Sequence, residues 1–81
     1  MIRITLEEAA YEAYTDLGND ILDQLDMEAR DIIQRILGIF PYRPHTMFEL
    51  GRVLGIPRST AHYRSQIAMK KLKDLHKLHK G

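Results

Sequence analysis

The 81-residue sequence has no cysteine and no tryptophan, and its only aromatic residues are four tyrosines and two phenylalanines. Without thiols it can form neither disulfides nor thiolate metal sites, a composition that suits a reducing cytosol. With so few rings, the interior has to be built from Leu, Ile, Met and Ala packed between helices. Long apolar runs are absent as well: nowhere do about 18 such residues follow one another, and Met1 to Leu6 carries Arg3 with no apolar stretch behind it. Neither a signal peptide nor a membrane span is expected, and the chain reads as soluble and cytoplasmic, with no membrane partner. Its length allows one domain over residues 1–81, with room for a modest core but not for an elaborate catalytic cleft.

Acidic and basic residues nearly balance, for a net charge of +1. The balance conceals a polarity along the chain. Up to Tyr42 there are nine Asp and Glu against three Arg, whereas from Arg43 onward nine Lys and Arg face only Glu49 and Asp74. A basic half on a small helical domain is the electrostatic footprint of a nucleic-acid binder, because Lys and Arg release counterions from phosphates.

Local signals divide the chain into about four helices, an all-α bundle. Thr5 and Glu8 read as a capping box opening a first helix, on which Leu6, Ala9, Ala10, Ala13, Tyr14 and Leu17 form an apolar stripe until Gly18 and Asn19 end it. A second amphipathic stretch starts near Asp20, with Leu22, Leu25, Ala29, Ile32, Ile33 and Ile36 on one face. Asp26 is placed to cap a fresh start within it, and Gly38 ends it. Pro41 and Pro44 make Ile39 to His45 an irregular connection, with Phe40 and Tyr42 as its candidate anchors. Thr46 and Glu49 repeat the capping-box pattern ahead of a short helix, Met47 to about Leu54, which stops at Gly55. Ile56 then sits in a tight turn, and Pro57 takes the first position of a long last helix that runs past Leu75. The expected organisation is an accessory N-terminal helix over 1–19, core helices over 20–40 and a helix-turn-helix over 46–79.

A short capped helix, a glycine turn with one apolar residue and a longer basic helix make up the helix-turn-helix pattern. Gly51 keeps the first of these helices thin where the second crosses it, Gly55 supplies the left-handed turn, and Leu50, Leu54, Ile56 and Ala61 supply apolar contacts. On a helical wheel the last helix turns Ala61, Ser65, Ala68, Leu72 and Leu75 inward. The opposite side carries Ser59, His62, Tyr63, Gln66, Lys70, Lys73 and Lys77, with Arg58 at the helix start. That mixture suits a helix whose first turns read base edges and whose later lysines hold phosphates: Gln66 pairs with adenine, Arg58 or His62 with guanine or phosphate. Arg64 flanks the inner face, where it can snorkel outward, pair with an acid of the N-terminal half or touch phosphate.

The run Thr46-Met-Phe-Glu-Leu-Gly-Arg-Val-Leu-Gly-Ile-Pro-Arg-Ser-Thr, followed by Ala68-Met-Lys-Lys-Leu, resembles region 4 of bacterial sigma factors, and at the pattern level the likeness spans roughly Asp20 to Asp74. Pro57 and Arg64 are similar to the extracytoplasmic-function type. The resemblance implies a last helix seated in the major groove of a promoter's minus-35 element and a contact with the flap of the RNA polymerase beta subunit. By position it implies that Arg58, Ser59, His62, Tyr63 and Gln66 face DNA. His62 and Tyr63 depart from the usual basic or polar residues, which leaves the target sequence open, and nothing matches sigma region 2. The first helix, Thr5 to Leu17, is not accounted for by the family; dimerisation, covering the core and binding polymerase are its three candidate roles.

No cofactor and no metal are expected. His76 and His79 have the i to i+3 spacing of a ligand pair, but lysines surround them and a frayed, lysine-rich end explains them. The carboxylate pairs Glu7 with Glu8 and Asp23 with Asp26 lack a nucleophilic or basic partner, so no enzymatic activity is expected. Ile67 and Leu78 are candidates for a partner surface. The leading reading is a transcription regulator of region 4 type, its small size fitting a phage or mobile-element source, with duplex DNA and RNA polymerase as partners. Two rivals remain: a dimeric output domain of response-regulator type, whose homodimer would read a palindrome, and a module that binds polymerase or a sigma factor without reading DNA.

Overall fold

The computed structural model describes residues 5–80, and within them the chain forms five helices and no strand. These are α1 (Leu6–Leu17), α2 (Asn19–Leu22), α3 (Met27–Leu37), α4 (Met47–Leu54) and α5 (Arg58–Lys80). The all-helical bundle of about four helices is as expected, with α2 an additional single turn. The stretch expected from Asp20 is cut by a break over 23–26, so Asn19 opens a single turn instead of only closing α1.

The helix starts follow from their caps. The Thr5 hydroxyl accepts from the Glu8 N–H, 3.1 Å away, and the Asp26 carboxylate accepts from the Ala29 N–H at 3.3 Å. At α4 the box closes both ways: the Glu49 N–H donates to the Thr46 hydroxyl at 3.1 Å, and the Thr46 N–H donates to the Glu49 carboxylate at 3.0 Å. Pro57 lies one residue earlier than expected. It stands outside α5 as its cap, its carbonyl accepting from the Ala61 N–H at 3.0 Å.

The α5 helix is the hub, packing against each of the other four. One core joins Ala10 and Ala13 of α1, Ile21 and Leu22 of α2, Ala29, Ile32, Ile33 and Ile36 of α3, Leu50 of α4 and Ala61, Ala68, Met69 and Leu72 of α5. The alanines of α1 let that helix lie close to its neighbours. Among the three roles considered for α1, covering the core is the one its packing shows.

The connection over 38–46 holds to α3 differently from expectation. Phe40 is 91% exposed and anchors nothing. Instead the Arg35 guanidinium stands 4.4 Å from the centre of the Tyr42 ring, and the His45 N–H donates to the Arg35 carbonyl at 2.8 Å. Among the described residues no buried side-chain nitrogen or oxygen lacks a hydrogen-bond partner, and no helix is long and apolar enough to cross a membrane.

Candidate nucleic-acid interface

The two crossing helices α4 and α5 are joined by a turn that depends on two glycines, one for its backbone conformation and one for space. Gly55 closes α4 in the left-handed region, at φ 70° and ψ 32°, where a side chain would be strained. The Ile56 N–H then returns to the Gly51 carbonyl at 2.9 Å. A β-carbon on Gly51 would stand 2.8 Å from the Ile56 carbonyl oxygen, so the close passage of the chain over α4 depends on glycine there. Leu50 and Ala61 are fully buried between the helices, while Leu54 and Ile56 are partly buried against the same core.

Seated in this way, α5 turns inward the five residues read from its periodicity: Ala61, Ser65, Ala68 and Leu72 are buried and Leu75 partly so. Ser65 needs no outside partner, since its hydroxyl donates to the Ala61 carbonyl one turn back. The buried arc is wider than five residues, because Met69 and His76 join it. The histidine is not part of a frayed end. Its Nε2 lies 2.8 Å from the Asp16 carboxylate at the end of α1, and His79 Nε2 lies 2.8 Å from the Gln24 amide, with α5 helical through Lys80.

Arg58, Ser59, His62, Tyr63, Gln66, Lys70, Lys73 and Lys77 are all exposed on the outward side of α5. Among the described residues none of Arg58, Lys70, Lys73 and Lys77 has an ion-pair partner. His62 and Gln66 touch side by side, with 3.0 Å between their Nε2 atoms. The two remaining cations of the helix's middle are used within the bundle. Arg64 pairs with Glu28 at 3.3 Å, resolving its three candidate roles in favour of an acidic partner, and Lys71 pairs with Asp26 at 3.2 Å. Both acids belong to the start of α3, so two ion pairs and an apolar seam fix the rotation of α5 about its axis.

Nearby groups perturb two carboxyls. The Ala29 N–H, and after it Lys71, hold Asp26 below the usual carboxylate range. The Thr46 N–H, and after it the Thr46 hydroxyl, do the same for Glu49. Arg52 was not among the residues expected to face DNA; its exposed guanidinium lies 5.9 Å from the centre of the exposed Phe48 ring on α4. The signal available was the count of basic residues after Arg43, which includes it.

A family model for sigma-70 region 4 matches residues 21–74, running from α2 through most of α5. The chain belongs to the sigma-70 region 4 family. Neither a curated protein nor a solved structure matches it. The region 4 match takes in α4, the turn and α5 as far as Asp74, and leaves out α1, the start of α2 and α5 from Leu75 on; His76 and Asp16 join the first and last of these.

Proposed function

We propose that this region 4 domain is a non-enzymatic transcription regulator that binds duplex DNA with α5 in the major groove. The observation that carries the reading is the outward side of α5: eight exposed polar or basic residues on a helix clamped from behind by α1, α3 and α4. A side chain reads a base edge only if its helix is held in one rotation, and the buried seam of Ala61, Ala68, Met69 and Leu72, flanked by the Arg64–Glu28 and Lys71–Asp26 pairs, supplies that hold. In this reading Arg58, Ser59, His62, Tyr63 and Gln66 reach base edges and nearby phosphates, while Lys70, Lys73 and Lys77 hold phosphates along the groove. Arg52 adds a phosphate contact where α4 crosses the backbone. Membership of the region 4 family supports RNA polymerase, through the flap of its beta subunit, as the protein partner.

The test is selection of tight binders from random-sequence duplex DNA across a salt series, with the Arg58→Ala, His62→Ala, Gln66→Ala triple variant as control. One recovered motif, lost in the control while the variant stays helical, is the expected result. Binding with no selectable motif would sink base reading and leave only charge-driven association.

A further inference from the structure

Ile67, Lys71, Asp74 and Leu78 form a third face of α5, outside the apolar core and the proposed DNA contact, on which Lys71 also holds Asp26 of its own chain at 3.2 Å. They fall within about 60° of one another at 100° per residue, about 100° around the axis from the centre of the His62, Gln66 and Lys70 side. Ile67 is 40% exposed and Leu78 76% exposed, and both charged residues between them are exposed too. Beside Ile67 a cleft of about 130 Å³ opens between α3 and α5, floored by Ala29, Ile32 and Ala68.

We infer that this face pairs with the same face of a second copy of the chain, the two α5 helices running antiparallel about a twofold axis between Leu72 and Lys73. That axis brings Ile67 opposite Leu78 of the second copy and Asp74, unpaired among the described residues, opposite its Lys71, an ammonium then shared between Asp74 and the Asp26 it already holds, each contact occurring twice. The pattern is therefore self-complementary in apolar surface and in charge, the condition that an isologous interface has to meet. Leu78 of the second copy arrives at the mouth of the cleft beside Ile67, which gives its side chain an apolar seat.

The same axis fixes the spacing of the reading surfaces. The two His62 residues stand 21 positions apart in the antiparallel register, about 31 Å along the helix direction at ~1.5 Å per residue. One turn of duplex DNA is ~34 Å. Because the pairing face lies about a quarter turn from the His62 side, both reading surfaces point the same way along the twofold axis, as a palindromic site requires. This spacing argument rests on the proposed DNA reading, whereas the pairing itself does not. Four residues per copy bury less than the ~800 Å² per partner of a standard interface, so the pair is weak in free solution and strengthens on DNA carrying two half-sites.

The chain has no cysteine, which permits a direct test with Ile67→Cys and Leu78→Cys chains, each confirmed helical, mixed under oxidised glutathione with and without random-sequence duplex. The mixture is expected to give the disulfide-linked dimer. Neither chain alone should, since equivalent positions lie about 16 Å apart by helical rise and a disulfide needs Cα atoms within ~7 Å. Adding Asp74→Lys to both chains sets like charges against each other and is expected to abolish the product. Self-linked products equal to the mixed one, or no product in either condition, overturn the pairing. A mixed dimer indifferent to DNA keeps the pairing and overturns the spacing of two reading surfaces on one duplex instead.

Discussion

A β-carbon at Gly51 would meet the Ile56 carbonyl at 2.8 Å, with Arg58 backbone atoms at 3.5 Å behind it. The obstacle is backbone, so it cannot swing aside as a long side chain would. Gly51→Ala is expected to cost about 1–3 kcal/mol as the turn is pushed off α4, read as a lower urea midpoint, and to weaken DNA binding further by tilting α5. The cap residues give a second expectation at this scale. Asp26 and Glu49 both have their carboxyls held below the ordinary range in the folded chain by the N–H groups they accept from. The unfolded chain therefore takes up these protons first as pH falls. The stability they contribute is complete above the ordinary carboxylate range and is lost as pH falls through it and through the lower folded values. Thermal melts followed by circular dichroism from pH 7 to pH 3 should show this decline, and Glu49→Gln should flatten part of it.

At the scale of helices, the bounds were legible because the signals that set them are local. Thr46 with Glu49, Asp26 with Ala29 and the glycines at 38 and 55 act across three or four residues, so the sequence carries the whole interaction. Phe40 shows the opposite case. An aromatic ring next to a proline suggested an anchor, but the connection is already fastened by Arg35 through Tyr42 and His45, and the ring is left in solvent. The fresh start of α3 was marked by Asp26, but the shortness of α2 was not, because Asp20 to Ile36 keeps one apolar period across the break. The α1 helix docks by its smallest residues, with Ala10 and Ala13 fully buried. Ala13→Leu should therefore cost about 1–3 kcal/mol by overpacking, lowering the melting temperature, whereas a substitution at exposed Glu7 should change stability by less than ~0.5 kcal/mol.

For the whole molecule, the division into an acidic and a basic half becomes a division of labour in space. Asp16, Asp26 and Glu28 of the acidic half meet His76, Lys71 and Arg64 of α5, while the outward lysines have no acidic partner among the described residues. If Lys70, Lys73 and Lys77 hold phosphates, replacing all three by Ala should lower the slope of log affinity against log salt by about three units. Stability should hardly change, since none of them is buried. Fluorescence anisotropy with a labelled duplex from 50 to 300 mM salt, at ~50 mM steps sufficient to define a slope, checks this. An unchanged slope would place the phosphate contacts elsewhere.

Caps, turn glycines and the spacing of apolar residues determined where the helices lie and which side of α5 looks outward, since each depends on groups a few positions apart. Only the folded chain decided how wide the buried side of α5 is. Met69 and His76 are covered because α1 and α3 press on that helix from two directions, and the number of neighbours around a helix is not written in its own period. The partners of Arg64, Lys71 and His76 likewise lie 36, 45 and 60 residues away. Electrostatics and packing act through space, so residues equivalent by type along the sequence, such as Lys70 and Lys71, acquire different roles once the helix is rotated into place.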